Sequence, residues 1–395
     1  MKTTYLDYAA TTPSDPRVIE AMQTCMGLHG NFGNPASRAH VYGWRAEEAV
    51  ENARAQVADL LAADPREIVW TSGATESNNL ALKGVVAAAA KKTGQACHVI
   101  TSRAEHKAVL DICAWLEQQG HEVSYLDPDG RGIVSLDQVK AAHRDNTVLV
   151  SLMHANNETG VLTAVASIGE WCRTNHILFH TDAAQSAGKC ALNTKNLQVD
   201  LISISAHKIY GPKGIGALFV RRAPEVVLQA QIHGGGHERG MRSGTLATHQ
   251  VVGMGVAAEI ALREGEEEQR KIGLLAKRFL QGIESLSGLT LNGATDMKIA
   301  GTLNISFGDC DSEQVLLALR GLAVSSGSAC TSASVEPSHV LTAMGLSRSR
   351  ANSAIRFSFG RFTTEAEIDQ AVQSVSNAVD QLKLNQRHTI NVKAT

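Results

Sequence analysis

Short apolar runs alternate with helical stretches through the first half of the chain, and this alternation restricts the fold more than any other feature. Strand-like runs are predicted at residues 67–71, 97–101, 123–126, 148–152, 178–180 and 201–204, and helices at 44–62, 75–91, 107–119 and 168–174. Alternating β and α segments favour a mainly parallel sheet with helices on both faces. Ligands bind such sheets at the carboxyl ends of the strands, so residues that follow a strand are the first candidates for a site.

The sequence changes in character near residue 248, where a long helix is predicted. Its charged part, residues 264–271, is typical of a solvated helix face. Two strand-like runs at 289–291 and 302–306, a helix, a Ser/Gly-rich loop at 325–334, a strand at 354–359 and a final helix at 364–382 follow. Because single cores stop growing near roughly 250–300 residues, we interpret this part as a second, smaller α+β domain.

Charge and hydrophobicity exclude several classes of partner. The formal net charge is −2, which gives no long-range attraction to nucleic acid or to an anionic membrane. No apolar run approaches the roughly 20 residues of a membrane span. Asp7 lies where a signal peptide would need an apolar core. We therefore expect a cytoplasmic protein without a nucleic-acid or membrane partner.

The seven cysteines do not form a framework. Their number is odd, their spacing is scattered and no pair forms C-x-x-C, so neither a zinc knuckle nor a disulfide scaffold is indicated. We expect no resident metal site and mostly buried, reduced cysteines in helical or strand-like segments. The exception is Cys330, in the small and polar segment 325–334, which is typical of a mobile loop.

Lys208 follows the predicted strand 201–204 and is the strongest local signal. It is either a surface lysine near a turn or an amine that forms a Schiff base with an aldehyde cofactor. Two features favour pyridoxal phosphate (PLP). Asp182, 26 residues earlier and just after a strand, can keep the pyridine nitrogen protonated. In residues 72–76, Gly73 permits a tight turn and Thr75 can cap the following helix, which together favour a phosphate site.

From Tyr5 to about Leu382 the sequence resembles the NifS/IscS group of cysteine desulfurases, PLP enzymes with the aspartate-aminotransferase-like fold, and is most similar to the IscS branch. The matching stretches are 6–12 (LDYAATT), 33–37 (GNPAS), 71–77 (TSGATES), 105–108 (EHKA), 156–160 (NNETG), 182–186 (DAAQS), 205–214 (SAHKIYGPKG), the Gly-rich 234–245, 325–334 (SSGSACTSAS) and 355–358 (IRFS).

The resemblance implies an α/β fold with two domains. The large PLP-binding domain, residues 15–262, would hold a mainly parallel sheet of the seven-stranded type. The smaller α+β domain would combine residues 1–14 with 263–395 and carry the catalytic cysteine loop at about 325–337.

The resemblance also implies the cofactor-binding residues. Lys208 would carry PLP, Asp182 would bind the pyridine nitrogen, and His106 would stack on the ring and act as an acid or base. A lone histidine at a helix start is otherwise more often structural. The remaining contacts would be Asn157 and Gln185 to the ring oxygen, Ala74, Thr75, Ser205 and His207 to the phosphate, and Thr245 to the phosphate of the neighbouring subunit in a homodimer.

Asn34 and Arg356 would bind the carboxylate of the substrate, L-cysteine. An arginine suits this role because its planar fork pairs with a carboxylate bidentately, although an inter-domain ion pair is the alternative for Arg356. Cys330 would take the sulfur as a persulfide and pass it to an iron–sulfur scaffold or a tRNA-thiolation relay. The resemblance also allows a transient contact between Cys330 and an iron–sulfur cluster.

Other activities share parts of this pattern. An aminotransferase would use the same lysine and aspartate but would not need Cys330, and a selenocysteine lyase is closer still. A catalytically dead subunit that recruits sulfur acceptors would have lost Lys208 or Cys330, and both are present.

The end of the chain departs from the IscS branch. Residues 385–395 do not match its scaffold-binding tail. We therefore expect weaker or different docking of the iron–sulfur scaffold.

Overall fold

The computed structural model describes residues 3–308, 310–326 and 337–393, with side chains described to Leu384. The strands are β1 (Thr4–Tyr5), β2 (Ile68–Thr71), β3 (His98–Ser102), β4 (Glu122–Leu126), β5 (Thr147–Ser151), β6 (Leu178–Asp182), β7 (Leu201–Ser205), β8 (Gly216–Val220), β9 (Leu289–Asn292), β10 (Thr302–Phe307), β11 (Leu322–Ala323), β12 (Ser325–Ser326) and β13 (Ala354–Ser358). The helices are α1 (Pro16–Gln23), α2 (Val41–Leu61), α3 (Ala74–Thr93), α4 (Lys107–Gln118), α5 (Leu136–Ala142), α6 (Val165–Thr174), α7 (Thr194–Leu197), α8 (Thr248–Ile283), α9 (Ser312–Ala318), α10 (His339–Ala343), α11 (Arg348–Asn352) and α12 (Glu365–Lys393).

The large sheet has the strand order β2-β8-β7-β6-β5-β3-β4. Strands β3 to β7 pair in parallel, whereas β8 runs antiparallel to both β7 and β2. Strands β3, β7 and β8 are buried along their whole length, as expected for a sheet covered by helices on both faces. The predicted α/β fold with a mainly parallel sheet is confirmed.

Two apolar cores cover the faces of this sheet. Helices α2, α6 and the first part of α8 contribute to one core, around Trp70 and Phe179. Helices α3 and α4 contribute to the other core, around Leu82 and Ile112. The carboxyl ends of the parallel strands are left open between these layers, which is where the predicted site residues lie.

A second sheet, with the order β12-β13-β10-β9, is antiparallel. It packs with the end of α8 and with α12 around a separate core that includes Leu6, Phe279 and Phe357. Helix α8 contributes to the first core up to Ala261 and to this one from Ile272. The predicted domain division at residue 262 therefore falls inside one continuous helix and stays a prediction.

Several elements differ from the sequence-based expectation. The last helix continues to Lys393 instead of ending at residue 382, and Ser325 and Ser326, expected in a loop, pair with β13. Among the described cysteines, Cys113 and Cys172 alone lie inside helices, so the placement of all six in regular elements is wrong; five of the six are nevertheless buried. No helix in the described part of the chain combines the length and apolarity needed to cross a membrane.

Candidate active site

A cavity of about 670 Å³ lies at the carboxyl ends of the parallel strands. Its wall is formed mainly by residues that follow β2, β3, β5, β6 and β7, and Ser325 and Arg356 of the second sheet close one side. The predicted site residues that line it are Ala74, Thr75, His106, Asn157, Asp182, Gln185, Ser205, His207, Lys208 and Arg356. These ten residues share one cavity although Ala74 and Arg356, the first and last of them, are 282 positions apart in the sequence.

Lys208 lies in a short 3-10 turn directly after β7. Its Nζ donates to the backbone carbonyl of Ala10 at 2.7 Å and also to that of Ala9. The lysine is therefore directed toward the N-terminal segment that lines the same cavity, and these contacts are with neutral carbonyl groups that a cofactor can replace.

Asp182 ends β6 and is 7% exposed. Its carboxylate accepts hydrogen bonds from Asn78 Nδ2 at 2.7 Å and from the Ala184 backbone N–H at 2.9 Å. These two hydrogen bonds fix the orientation of the carboxylate, which lines the cavity.

The turn between β2 and α3 presents backbone N–H groups to the cavity. Gly73 is the N-cap of α3, with a φ of 152° that L side chains rarely adopt, and it provides no side-chain acceptor for the first N–H groups of the helix. Thr75 is the second residue of the helix, so the expectation that it caps the helix is wrong. The uncapped N–H groups and the helix dipole leave a site for an anion, beside Ser205 and His207.

Two histidines of the cavity are neutral near pH 7. His106 is the N-cap of α4, and its Nδ1 accepts the Ala108 N–H at 3.1 Å. Burial lowers the pKa of His106, although the Asp182 carboxylate opposes the shift. Because Nδ1 is an acceptor, Nε2 is the ring nitrogen left for proton transfer. Burial, and to a smaller extent Lys208, lowers the pKa of His207 to about 4.

Arg356 and Asn157 form the side of the cavity nearest the second sheet. Arg356 Nη2 donates to Asp7 Oδ1 at 2.7 Å and Nη1 donates to the Asn157 carbonyl at 2.9 Å. Arg356 Nε and Asn157 Oδ1 are buried and have no partner among the described residues. Gln185 Nε2 donates to the Ala9 carbonyl at 2.8 Å. The cavity therefore contains polar atoms that a bound molecule can satisfy.

Two of the described predicted site residues do not line the cavity, and a third predicted site residue is not described. Asn34 is exposed and its Oδ1 accepts the Ala36 N–H at 2.9 Å. Thr245 is also exposed, on the Gly-rich loop. Cys330 lies outside the described residues. The roles given to these three residues remain predictions.

The structure adds two residues that the motifs did not indicate. Asn78 is fully buried on α3 and holds Asp182, and Asp7 pairs with Arg356. The sequence contains a signal for Asn78, because its amide lies four positions after Ala74 and residues four apart share one side of a helix. Asp7 is the one charged residue in the stretch 6–12 that the resemblance already singled out.

The residues of this cavity fit PLP. The lysine amine, the buried carboxylate of Asp182 and the uncapped N–H groups after Gly73 match the aldehyde, the pyridine nitrogen and the phosphate of that molecule. The Oδ1 of Asn157, which has no partner among the described residues, is a buried polar atom that a bound molecule can satisfy. The volume of about 670 Å³ lies in the range of ordinary ligand cavities.

Comparisons with known proteins agree with this site. The family model for aminotransferase class-V matches residues 4–371. A cysteine desulfurase IscS from Vibrio atlanticus is 59% identical over 379 residues, which cover 96% of this chain and 93% of that protein. A solved NifS-like protein superposes with a TM-score of 0.87 at 36% identity, covering 97% of this chain and 100% of the other. A structure described as SspA in complex with cysteine superposes with a TM-score of 0.82 at 40% identity, covering 92% of this chain and 100% of the other.

The matched model spans most of the chain, and the identity to the IscS relative is far above the level at which family membership is in question. The residues that line the cavity are those of a PLP enzyme. The chain therefore belongs to the class-V aminotransferase family, within its NifS/IscS group of cysteine desulfurases.

Proposed function

We propose that this protein is a PLP-dependent cysteine desulfurase that converts L-cysteine to L-alanine and leaves the sulfur on Cys330 as a persulfide. The observation that carries the proposal is the single cavity in which Lys208, Asp182, the turn after β2 and Arg356 face one another. These groups match the aldehyde, ring nitrogen and phosphate of the cofactor and the carboxylate of an amino acid. Similarity to a structure described as a cysteine complex supports cysteine as that amino acid.

The chain's own groups hold the cofactor at both ends. Lys208 Nζ would bind the aldehyde group, and the N–H groups of Ala74 and Thr75, with Ser205 and His207, would hold the phosphate. His207 is neutral at pH 7, so it would contribute a hydrogen bond instead of a charge. Asp182 would pair with the pyridine nitrogen. When bound, PLP supplies an electron-withdrawing ring that stabilises negative charge at the Cα of an attached amino acid.

Arg356 holds the carboxylate of the substrate. Arg356 is 6% exposed, so a carboxylate that pairs with its guanidinium is shielded from water and fixes the orientation of the amino acid. The amine of Lys208 lies at the same cavity and would be the group that moves the Cα proton. His106 is a second proton carrier, through Nε2, because its Nδ1 is held by Ala108.

The sulfur transfer is balanced without an added oxidant. The Cys330 thiolate attacks the substrate sulfur, the S–S bond of a persulfide forms and the substrate Cβ–S bond breaks. Cβ gains the electron pair and then a proton, so the product is alanine. The substrate carbon gains two electrons, and the two sulfur atoms that form the persulfide lose one each. A thiol reductant or an acceptor protein afterwards takes the outer sulfur.

We propose that the protein acts as a homodimer in the cytoplasm and supplies sulfur to an iron–sulfur scaffold or a thiolation relay. The segment before α2 and its first turns expose several large apolar side chains, among them Met26, Leu28 and Trp44, which are 64%, 72% and 55% exposed. Such a group of apolar residues favours a covered interface. In a dimer the exposed Thr245 would contribute to the phosphate site of the neighbouring subunit. Light scattering that shows a monomer at micromolar concentration would contradict this part.

Alanine and sulfide release from L-cysteine with a thiol reductant tests the activity. We expect wild type and Cys190→Ala, which changes a half-buried thiol that does not line the cavity, to be active. Cys330→Ala should keep PLP but lose turnover, and Lys208→Ala should lose both covalent PLP and turnover. If neither wild type nor any variant acts on cysteine, the chain is another kind of PLP enzyme and the proposal is wrong.

A further inference from the structure

Glu76 is an unexpected residue for a phosphate site. It lies in the first turn of α3 and lines the cavity next to Ala74 and Thr75. A carboxylate near a bound phosphate repels it and weakens its binding. The turn must therefore either avoid this charge or neutralise it.

Arg242 neutralises Glu76 through an ion pair. Its Nε donates to Glu76 Oε1 at 2.8 Å, and both side chains are largely buried, at 20% and 16% exposure. Arg242 does not line the cavity. Among the described residues, its hydrogen bonds to the phosphate turn are those to the Glu76 carboxylate.

Glu76 in turn fixes the backbone of the phosphate turn. Its Oε2 accepts the Ser72 N–H at 2.7 Å. On the other side of the turn Gly216 allows close contact, because a side chain there would meet the Gly73 Cα at 2.6 Å. The turn is thus held between β8 and the Arg242–Glu76 pair.

The loop that carries Arg242 is itself held firmly. Glu238 and Arg239 adopt left-handed φ values of 47° and 57°, a conformation that persists only where the surroundings impose it. Glu238 accepts two hydrogen bonds from Arg54, at 2.7 and 2.9 Å, and one from the Trp70 N–H at 2.9 Å.

These bonds cover the free edge of β2. Trp70 belongs to β2, the outermost strand of the large sheet, and Arg54 also donates to the Ile68 carbonyl at 2.9 Å on that edge. The loop is therefore fixed to the strand that leads into the phosphate turn. A loop held in this way places Arg242 with little freedom.

We propose that Arg242 is a positioning residue for cofactor binding: by neutralising Glu76 and holding it on the Ser72 N–H, it prepares the turn after β2 for a phosphate. This inference rests on the proposed function, since it takes the phosphate to be that of PLP. Arg242 makes no contact with the cofactor, so its effect depends on the charge and position of Glu76.

The test compares PLP with pyridoxal, which lacks the phosphate, by titration of cofactor-free protein followed by absorbance. We expect Arg242→Met to bind PLP about tenfold more weakly, as for the loss of a charged hydrogen-bonded partner, with pyridoxal binding unchanged within about twofold. Adding Glu76→Gln to Arg242→Met should restore most of the PLP affinity, because it removes the unpaired charge. A purely structural role predicts no such rescue.

Arg221→Met is the matched control, since Arg221 pairs with the buried Asp200 in the same sheet but does not line the cavity. It should leave the preference for PLP over pyridoxal unchanged. The inference is overturned if Arg242→Met weakens both ligands equally or neither, or if the control behaves in the same way. If Arg242→Met lowers the melting temperature of the cofactor-free protein, Arg242→Lys is the deciding variant. Retained PLP affinity in Arg242→Lys supports the role of the charge, and a loss of affinity equal to that of Arg242→Met refutes it. Wild-type protein that binds no PLP would instead contradict the proposed function.

Discussion

The guanidinium of Arg356 on β13 donates to the carboxylate of Asp7 at 2.7 Å, across 349 positions of sequence. This pair joins the N-terminal segment to the second sheet at the wall of the cavity. Asp7 and Arg356 both belong to the predicted smaller domain, so this ion pair is not the inter-domain pair that was the alternative for Arg356. The pair does not exclude the proposed role in binding, because Arg356 also lines the cavity and its Nε has no partner in the described chain.

Asp7→Asn tests whether Asp7 competes with the substrate carboxylate for Arg356. Removing the negative charge should lower the KM for L-cysteine several-fold, and it should lower the stability of the substrate-free protein by about 1–3 kcal/mol because a buried cation loses its partner. Steady-state kinetics and urea unfolding measure the two effects.

Asp296→Asn is the control, because it breaks an ion pair with Arg131 in which both groups are exposed. It should change neither the KM for L-cysteine nor the stability. A higher KM in Asp7→Asn would mean that Asp7 orients Arg356 for the substrate and does not compete with it. Arg356→Lys, which cannot pair bidentately, should raise the KM at least tenfold in either case.

Asn78→Ala should lower kcat about tenfold while PLP stays bound, because Asp182 loses one of its two donors and is held less firmly against the pyridine nitrogen. The comparison is with Asn175→Ala, which removes an exposed amide that donates to the Trp171 carbonyl of a distant helix. PLP content from absorbance and kcat from alanine release are the measurements. Equal kcat values for the two variants would show that Asn78 is only a packing residue.

Glu158 should make stability depend on pH. It is fully buried beside the Asn157 position, and burial raises its pKa to about 7, although the Ser338 hydroxyl, which donates to it at 2.5 Å, opposes the shift. The folded protein therefore holds a proton that the unfolded chain releases between about pH 4.5 and 7. The unfolding free energy falls through this window as pH rises, by about 3 kcal/mol in all.

Glu158→Gln removes this titration. Between pH 5 and pH 8, the unfolding free energy of this variant should rise by about 3 kcal/mol relative to that of the wild type. Urea unfolding of cofactor-free protein at fixed concentration measures this difference. Glu284→Gln, at the exposed position that follows the last residue of α8, should show no such gain. If the stability difference between Glu158→Gln and wild type is the same at both pH values, Glu158 is ionised in the folded protein and the account of its burial is wrong.

Periodicity predicted the large sheet well because buried parallel strands appear as continuous apolar runs, as in β3, β5 and β7. It did not predict β8, which follows β7 through a turn without an intervening helix and runs in the opposite direction. It also ended the last helix at residue 382, whereas the helix continues to Lys393.

Residues at the strand ends, such as Asp182 and Lys208, could be proposed from the sequence because their positions follow from the strands. The contacts of Asp7 with Arg356 and of Asn78 with Asp182 could not, since they span 349 and 104 positions and depend on how the two sheets and α3 pack. The Arg242–Glu76 pair, 166 positions apart, is of the same kind. The local sequence pattern therefore identified the candidate site residues, whereas tertiary packing determines which residues contact and orient them.

The central claim is that Cys330 accepts the substrate sulfur. Mass spectrometry of the PLP-loaded protein after one equivalent of L-cysteine, without reductant, tests it most directly. The account predicts one added sulfur atom on the peptide that contains Cys330, with an equal amount of alanine. Alanine formed while the Cys330 peptide stays unmodified, or sulfur found on a different cysteine, would contradict it.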